Sequence, residues 1–485
     1  MSDLFNNHEP NNVLKYFYEI SQIPRGSGKE KAISDYLFQF SKNRDLEVYQ
    51  DSYHNILIKK NCTPGFEDAT TVILQGHMDM VWEKNKDTLH DFLTEGIKLK
   101  IIDDHIYAEN TTLGADNGIA VAMILALLDS KDISHPKIEA VFTVEEETGL
   151  AGAMNLDTSK LEGKFLINLD SEDDTEILSS CAGGVRLHHK VPLQKVKRPV
   201  DFSCYNISIT GLRGGHSGMD INLNRANANK LLARVLYSIK KEMKIHIIEI
   251  SGGSKDNAIP REAEATILVD KTERENFSLI MRLAQRNLGG EYAISDPGIA
   301  INYNFVSDNC EKCYSKDTTD KIIHLMMILP NGVLSMSSEI DGLVESSINM
   351  AVIETDDKLL TITSSARSNV NSKQNYIINV CKSIADTVNI AFSSDSSYPG
   401  WAYDADSALR KHAVKSYQRL FGEDPNIVAI HAGVECGIFK EKIPRLDIIS
   451  FGPNIYDVHT PQEHISISSI EKTWNFLLEI LRTIE

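Results

Sequence analysis

Short apolar runs that end in polar residues recur in the first third of the chain and predict strands of a largely parallel sheet. The segments "TTVILQGHMDM", "KIEAVFTVEEETG" and "KFLINLDSED" follow this pattern, and "LGADNGIAVAMILALLDS" reads as a loop that leads into a helix of small residues. Strands that alternate with helices indicate an α/β domain. Ligands of such sheets bind beyond the carboxyl ends of the strands, where the polar residues of these segments gather.

The residues before the first of these runs predict two helices and two short strands. Val13, Leu14 and Phe17 recur at helical spacing after Pro10, and "KEKAISDYLFQFSKN" fits a second helix. "VYQDSYHNILIKK" reads as two strands around a turn. The intervening "RGSGKE" lacks the Ser or Thr and the earlier Gly of a phosphate-binding loop, so we interpret it as the start of a helix.

The pattern changes after about residue 185 and returns from about residue 398. An alternating strand in "YNISITGLRGGHSG", an amphipathic helix in "RANANKLLARVLYSIKKEM" and a hairpin in "INMAVIETDDKLLTITSSA" predict an α+β domain with its own core. "SALRKHAVKSYQRLF" and "LDIISFGPNIYDVHTP" then resume the helix and strand pattern of the first part. We therefore predict one α/β domain, residues 1–186 and 398–485, that is split by an inserted domain of residues 187–397.

Composition narrows the class of partner and the expected location. The 485 residues carry 50 basic and 68 acidic side chains, a formal charge of −18, which argues against nucleic acid and against anionic membranes as partners. No apolar run reaches the roughly 20 residues of a membrane span, and the first residues lack the features of a signal peptide. Seven scattered cysteines suit a reducing compartment, so we expect a cytoplasmic protein.

A lone C-x-x-C motif, Cys310 and Cys313, has two interpretations. A second cysteine pair would be needed nearby for the common structural zinc sites, and the sequence has none there. Chance spacing is therefore favoured over a metal or redox site.

The residues that follow the predicted strands share one chemistry. Imidazole and carboxylate groups suit zinc, and they also serve manganese or cobalt. Any one of them alone reads more simply as a solvated side chain or a helix cap. Their coincidence at one sheet edge, without cysteine, predicts a catalytic metal site rather than a structural one. They are His77, Asp79, Asp116, the run Glu145–Glu147, Asp170 and His459.

The spacing of His77 and Asp79 predicts a contact between their side chains. Residues i and i+2 of an extended segment face the same way, so Asp79 can hydrogen-bond the His77 ring. Such a hydrogen bond fixes the orientation of a metal-bound imidazole.

Nine segments in order resemble those of the M20 metallopeptidases, and most closely the branch of bacterial aminoacyl-histidine dipeptidases. The resemblance extends from about residue 10 to residue 480, and "GLRGGHSG" and "HAGVECGIF" separate this branch from unrelated zinc enzymes. The segments are "GHMDMV", "TTLGADNGIA", "EEETGLAGA", "LDSED", "GLRGGHSG", "NAIPRE", "YPGW", "HAGVECGIF" and "FGPNIYDVHTP".

The resemblance implies two divalent ions, with zinc expected and cobalt or manganese as alternatives. Asp116 would bridge the ions, and the peptide bond that follows it would be cis. His77 and Asp170 would complete one site, and Glu147 and His459 the other.

The family pattern Glu-Glu-x-Gly also resolves the run of three glutamates, because only the register Glu146–Glu147–Thr148–Gly149 matches it. Glu146 would then be the general base that activates a water, and Asp79 would orient His77. Glu145 would face away from the metals.

The resemblance also assigns residues outside the metal cluster. His216 would donate a hydrogen bond to the oxyanion, and Asn257 and Arg367 in the inserted lid domain would hold the carboxylate of the substrate. Glu435 would lie near the active site, in a supporting or substrate-binding position.

Together these features predict a metallodipeptidase of unblocked dipeptides, including Xaa-His, that assembles as a homodimer. An N-acyl amino-acid deacylase or a tripeptidase with the same metal site is an alternative. A relative without catalytic activity ranks lower, because all the matched positions are intact.

Overall fold

A computed structural model describes residues 3–5, 8–307 and 310–484 of the chain. It divides into two compact units. The first comprises Met1–Cys181, Trp401–Ala429 and Val434–Glu485, and the second comprises Ala182–Gly400 and Ile430–Gly433. The outer limits of the predicted domains, residues 1 and 485, lie outside the described residues.

The inner limits differ slightly from the predicted boundaries at 186 and 397. The second unit begins at Ala182 because the strand from Gly183 to Pro192 already belongs to its sheet. The short segment Ile430–Gly433 also belongs to this unit, which the sequence pattern did not indicate.

The N-terminal part of the first unit alternates between helices and strands, as the apolar runs predict. The helices are α1 (Asn11–Ser21), α2 (Lys31–Lys42), α3 (Ala115–Asp129) and α4 (Ala151–Asn155). The strands are β1 (Glu47–Gln50), β2 (Ile56–Lys60), β3 (Val72–His77), β4 (Leu99–Ile102), β5 (His105–Ala108), β6 (Ile138–Thr143), β7 (Phe165–Asn168) and β8 (Glu176–Cys181).

The second unit contributes longer strands and four helices. Its helices are α5 (Ala228–Glu242), α6 (Arg274–Glu291), α7 (Lys316–Ile328) and α8 (Asn371–Thr387). Its strands are β9 (Gly183–Pro192), β10 (Lys195–Lys197), β11 (Phe202–Thr210), β12 (Gly215–His216), β13 (Ile245–Gly252), β14 (Ala258–Ile259), β15 (Ala263–Asp270), β16 (Ala300–Ser307), β17 (Lys312–Tyr314), β18 (Gly332–Met336), β19 (Val344–Thr355), β20 (Leu359–Ser368) and β21 (Ala391–Tyr398).

The C-terminal part returns to the first unit. It contains helices α9 (Ala408–Phe421), α10 (Glu435–Lys442) and α11 (Ile467–Thr483). Its strands are β22 (Asn426–Ile430), β23 (Asp447–Ser450), β24 (Ile455–Tyr456) and β25 (His464–Ser466). Four short 3-10 helices complete the described elements: Asp3–Phe5, Thr158–Lys160, Ile221–Leu223 and Lys271–Glu273.

The first unit is built on an eight-stranded sheet in the order β1-β2-β6-β3-β7-β23-β8-β22. The four central strands β6, β3, β7 and β23 are parallel, whereas β1, β2 and β8 pair antiparallel at the sides. β3 and β6 are buried along their whole length, so they read as continuous apolar runs. The predicted α/β domain with a mostly parallel sheet is confirmed.

Helix α3 corresponds to the predicted helix of small residues and is buried on all sides. Nearly every residue from Ala115 to Leu128 is buried, so apolar side chains surround the helix axis instead of forming a stripe. The helix packs against β3, and Gly76 of that strand makes the close approach possible. A Cβ atom at Gly76 would lie 2.8 Å from the Cβ of Ala120.

The second unit is an antiparallel sheet of nine described strands with helices packed against it. The order is β16-β11-β15-β13-β19-β20-β9-β21, with β18 paired to β19. β19 and β20 form the predicted hairpin, in which the Asp356 N–H closes the turn on the carbonyl of Leu359 at 2.9 Å. This unit has its own core and confirms the predicted α+β insertion.

Among the described residues, no helix is both long and apolar enough to cross a membrane.

Candidate active site

The carboxyl ends of three neighbouring parallel strands bring the strand-end residues of the first unit together. β3 lies between β6 and β7, with His77 opposite Thr143 and Gln75 opposite Asn168. His77 ends β3, Glu146 and Glu147 follow β6, and Asp170 follows β7. Because parallel strands end at the same edge, these side chains converge there.

Asp116 lies at the centre of this cluster. Its Oδ1 is 3.0 Å from Nε2 of His77, and its Oδ2 is 3.2 Å from Nε2 of His459. Asp170 approaches His77 Nε2 to 3.4 Å on one side, and Glu147 approaches His459 Nε2 to 3.0 Å on the other. The two oxygens of one carboxylate therefore face two separate pairs of ligand-type groups.

The donor atoms of these residues are close enough to hold cations. Two groups, His77 with Asp116 and Asp170, and Asp116 with Glu147 and His459, each offer three ligand atoms within 4.8 Å of one another. A third group of His77, Glu146 and Glu147 meets the same limit. Nitrogen and oxygen donors of this kind suit zinc, cobalt or manganese, and buried charges of one sign need such partners.

The backbone at Asp116 departs from helical geometry. Asp116 has φ −78° and ψ 111° although α3 has begun at Ala115, and the peptide bond to Asn117 is cis, as the resemblance implies. The Asn117 side chain donates to the carbonyl of Leu169 at 2.8 Å, which ties this turn to the end of β7.

Asp79 connects the histidine to the glutamates. His77 Nδ1 lies 3.2 Å from the Asp79 carbonyl and 3.3 Å from its Oδ1. The Asp79 carboxylate also accepts the N–H groups of Glu146 and Glu147, at 3.1 and 3.3 Å, and the hydroxyl of Ser27 at 2.8 Å. Because Nδ1 faces acceptors, it carries a proton in the neutral as well as in the charged ring, so Nε2 is the atom of His77 that would bind a metal.

The three glutamates have three different surroundings. Glu146 is close to His77 and Glu435, and burial raises the pKa of its carboxyl well above the usual value. The carboxylate of Glu147 forms a hydrogen bond with Nε2 of His459. Among the described residues, Glu145 belongs to none of the groups that could hold a metal. It has a left-handed backbone with φ 51° and lines a separate hollow of about 640 Å³ with Trp82 and Tyr53.

Protonation within the cluster differs from group to group. Burial opposes the charge on His77, but Asp170 and Asp116 outweigh it and raise the His77 pKa. Hydrogen bonds to Asp116 and Glu147 raise the pKa of His459 to about 11. Burial also opposes the charge on Asp116, yet its two histidines hold its pKa below the usual range, whereas burial raises the pKa of Asp170 to about 6. Protons on the two histidines thus partly balance the carboxylates, which is the charge that cations would supply.

Glu435 lies beneath the cluster and is fully buried. Its Oε2 accepts hydrogen bonds from the Gln75 amide and, at 2.7 Å, from the Thr143 hydroxyl, which belong to β3 and β6. Burial raises the pKa of the Glu435 carboxyl to about 8.

Two other predicted residues come together in the second unit. His216 lies in β12, and its Nδ1 accepts the N–H groups of Gly218 and Met219, at 3.3 and 3.1 Å. Its proton is therefore on Nε2. A Cβ atom at Gly218 would lie 3.1 Å from the His216 ring and 3.3 Å from Nε of Arg367, so the two side chains flank this glycine.

Arg367 is 7% exposed, and its Nη1 donates to the Tyr398 hydroxyl at 3.1 Å. Its Nε finds no hydrogen-bond partner among the described residues. Asn257 is exposed, and its carbonyl accepts the N–H of Ser217 at 2.8 Å. Burial and the Arg367 guanidinium lower the pKa of His216, so the ring is neutral at pH 7 and can donate from Nε2.

Comparison with known proteins decides the family. The model of peptidase family M20/M25/M40 matches residues 73–483. The chain belongs to this family. It is 36% identical over 475 residues to the cytosol non-specific dipeptidase of Escherichia coli, with 98% of each chain covered. The crystal structure of aminoacylhistidine dipeptidase from Vibrio alginolyticus matches 100% of this chain with a TM-score of 0.95 and 35% identity, over 99% of its own length.

A more distant structure shares the fold alone. Aminopeptidase PepT from Bacillus cereus has 16% identity and a TM-score of 0.58, and the match covers 98% of both chains. The predicted family and its peptide-bond hydrolase chemistry are thus confirmed.

Within each unit, the predicted residues have neighbours that the sequence pattern did not single out. In the first unit these are Arg25 and Glu463, which contact the backbone of the segments that carry His77 and Asp116. In the second unit they are Tyr398 and His431, which lie next to Arg367 and Gly218. Arg25 and His431 lie in or beside quoted motifs, but a single charged residue there has no periodicity that marks it as buried.

Proposed function

We propose that this protein is a metal-dependent dipeptidase that hydrolyses the peptide bond of unblocked dipeptides, Xaa-His dipeptides among them. One observation carries the proposal. The two oxygens of Asp116 face two histidines, each with a further carboxylate, beside the carboxyl of Glu146. Similarity over nearly the whole chain to relatives named as dipeptidases supports the choice of substrate.

The proposal assigns two divalent ions to this cluster. His77, Asp116 and Asp170 would hold one ion, and Asp116, Glu147 and His459 the other. Zinc is expected, with cobalt or manganese as alternatives. When bound, such ions polarise a carbonyl and lower the pKa of a water molecule.

The residues of the chain supply the proton transfers and the alignment. Glu146 would take a proton from the attacking water and pass it to the leaving amine. Asp79, which lies beside Glu146 in the structure, would hold the His77 ring in place. The same carboxylate accepts the backbone N–H groups of Glu146 and Glu147 and so would fix that segment. This arrangement explains why two adjacent glutamates can have different roles, because one carboxylate fixes the backbone of both.

The second unit would bind and stabilise the substrate. His216 would donate its Nε2 proton to the developing oxyanion, since Nδ1 is occupied by two backbone N–H groups. Arg367 and Asn257 would hold the terminal carboxylate, a task that suits the unpaired Nε of Arg367. The resemblance implies a supporting or substrate-binding position for Glu435, and its hydrogen bonds to Gln75 and Thr143 favour support of β3 and β6.

A substrate panel tests the proposal. The protein loaded with zinc, cobalt or manganese would be assayed on free dipeptides, on tripeptides and on N-acetyl amino acids. We expect turnover of the free dipeptides, including an Xaa-His dipeptide, and loss of that turnover with a chelator. Turnover of the acetylated compounds alone would indicate a deacylase, and turnover of tripeptides alone a tripeptidase.

The proposal includes a homodimer in the cytoplasm. Light scattering of the purified protein would measure the mass directly, and a mass near 54.2 kDa, that of one chain, would contradict the dimer.

A further inference from the structure

A carboxylate far away in the sequence caps the turn that carries Asp116. Glu463 is 2% exposed and lies just before β25. Its Oε2 accepts the N–H groups of Leu113 and Gly114 at 2.8 and 3.0 Å, and its Oε1 accepts those of Ala115 and Asp116 at 2.8 and 3.3 Å. One side chain thus satisfies four consecutive backbone donors.

The first turn of α3 has no local group that could do this. The residue in the capping position is Gly114, which has no side chain and makes no capping hydrogen bond of its own. The first N–H groups of a helix need acceptors, and a negative charge there is favourable. Glu463 provides the acceptors from a position 347 residues beyond Asp116.

Arg25 joins the same turn to the segment that carries His77. It is 1% exposed. Its Nη1 donates to the carbonyls of Met78 and Asp79 at 3.2 and 3.1 Å, and its Nη2 donates to the carbonyl of Gly114. A planar guanidinium can hold two backbone segments at a fixed separation, which a lysine cannot do.

The space around Arg25 shows how closely the two segments approach. A Cβ atom at Gly114 or at Gly118 would lie 2.5 Å from Nη2 of Arg25. Glycine is therefore required at both positions for the guanidinium to reach the turn.

We propose that Glu463 and Arg25 are positioning residues that set the distance and orientation of Asp116 relative to His77, so that both can bind the ions together. The inference rests on the metal dependence in the proposed function. In the part of the chain that the structure describes, neither side chain belongs to a group that could hold a metal, so both act through the backbone of the ligands.

The variant Glu463→Gln tests the proposal directly. The amide keeps the size of the side chain. Its NH₂ group, however, cannot accept hydrogen bonds from the backbone N–H groups that one carboxylate oxygen accepts in the wild-type protein. Residues that hold a metal ligand in place by hydrogen bonds commonly contribute about 10–100-fold to metal affinity, and we expect a loss of that size. The measurement is competition for zinc against a chromogenic chelator, with the full-length protein.

Glu479→Gln is the matched control. Glu479 is 6% exposed in α11 of the same unit and pairs with Arg419 and Arg482. It belongs to none of the metal-capable groups among the described residues. We expect this variant to lower the unfolding temperature and to leave zinc affinity unchanged.

Two further measurements separate positioning from general stability. Amide hydrogen exchange in the metal-free protein should become at least tenfold faster at residues 113–116 in Glu463→Gln and stay unchanged there in Glu479→Gln. Arg25→Lys should weaken zinc binding in the same range as Glu463→Gln, because an ammonium cannot hold the carbonyls of Asp79 and Gly114 together.

The outcomes distinguish this inference from the proposed function. The positioning role would be overturned if Glu463→Gln binds zinc as tightly as the wild-type protein, or if the control Glu479→Gln loses as much zinc affinity as Glu463→Gln. It would also be overturned if the wild-type protein binds no zinc. If the wild-type protein binds zinc and cleaves no dipeptide, the proposed function fails, and the affinity comparison still decides the role of Glu463.

Discussion

At the scale of single residues, neighbours decide what each acid of this site can do. Asp116 lies between two histidines, whose hydrogen bonds hold its pKa low despite burial. Glu146 has no such hydrogen bond among the described residues, and burial raises its pKa well above the usual value. The surroundings therefore favour the charged form of one carboxyl group and the protonated form of the other.

Glu146→Gln should separate metal binding from catalysis. The amide cannot accept a proton, so turnover of a good dipeptide substrate should fall about 10²–10⁴-fold, the usual contribution of general base catalysis. Zinc content, measured by atomic absorption, should persist. Glu145→Gln is the control, since Glu145 lies outside every metal-capable group found in residues 3–5, 8–307 and 310–484. Unchanged turnover in Glu146→Gln would remove this residue from the mechanism.

His431 should make the protein sensitive to acid. It is 5% exposed, its Nε2 lies 2.7 Å from the Ser347 hydroxyl, and burial followed by the Arg367 charge lowers its pKa from 6.5 to about 3. Between these pH values the unfolded chain binds a proton at this residue that the folded chain does not bind. The free energy of unfolding should therefore fall as pH drops below about 6.5, by at most about 1.4 kcal/mol per pH unit from this residue.

Urea unfolding at pH 7.5 and pH 5 measures this effect. His431→Gln removes the titrating group, so its free energy of unfolding should change less between the two pH values than that of the wild-type protein. His324→Gln, on the exposed face of α7, should retain the wild-type pH dependence. An equal pH dependence in the wild-type protein and His431→Gln would contradict the assignment.

At the scale of elements, the contact of α3 with β3 determines where Asp116 lies. The helix carries Asp116 at its start and the strand carries His77 at its end. Gly76, one residue before His77, lets the helix approach the strand, because any Cβ atom there would lie 2.6 Å from the Asn117 side chain. A change in this contact would move one ligand relative to the other.

Gly76→Ala should therefore destabilise the protein and weaken metal binding. The added methyl group must displace α3 or distort β3, and such overpacking costs about 1–3 kcal/mol. Gly290→Ala in α6 is the contrasting change, because nothing lies within 4 Å of the added atom. This second variant should be neutral or more stable by up to about 1 kcal/mol. Chemical denaturation measures the free energy of unfolding of both variants. A Gly76→Ala variant as stable as the wild-type protein would contradict the close packing.

At the scale of the whole molecule, part of the acidic excess of the chain is concentrated at one edge of a sheet. The formal charge is −18, and several of the acids converge where three strands end. Carboxylates at such an edge repel one another unless cations or protonated histidines balance them. The first unit should therefore be more stable with its ions than without them.

Metal removal should lower the unfolding temperature, and zinc should restore it. A ligand at a thousand times its dissociation constant stabilises the folded state by about 4 kcal/mol. Differential scanning calorimetry with a chelator and then with added zinc measures the change. Asp116→Asn is the control, because Asp116 is common to both ligand groups and its loss should remove most of the response. Identical unfolding curves with and without chelator would contradict the metal site.

Local patterns sufficed for most elements of this fold. β3, β6 and β7 were marked by their apolar runs, α5 by its amphipathic spacing and the β19–β20 hairpin by its alternation. The ligand-type residues were marked because each follows such a strand or begins a helix. A periodic alternation of buried and exposed residues, and polar residues at the end of a buried strand, both involve residues that are close in the sequence. They can therefore be recognised from the sequence alone.

Arg25, Glu463 and His431 could not be found in this way. Each is a charged or polar residue that becomes buried only through partners distant in the sequence, such as Gly114 for Arg25 and Asp116 for Glu463. The same holds for the segment Ile430–Gly433, which joins the second unit from within the C-terminal part. Burial of a polar group depends on which backbone donors or acceptors arrive beside it, and no local period records that.

The sequence by itself determined the fold class, the family and the set of imidazole and carboxylate groups, because short-range patterns and ordered motifs encode them. The tertiary structure decided how these groups share their partners. It assigned one oxygen of Asp116 to His77 and the other to His459, and it placed Glu463 on four N–H groups of one turn. These relations depend on distances between atoms of residues that lie 39 to 350 positions apart in the sequence, and those distances exist only once the chain has folded.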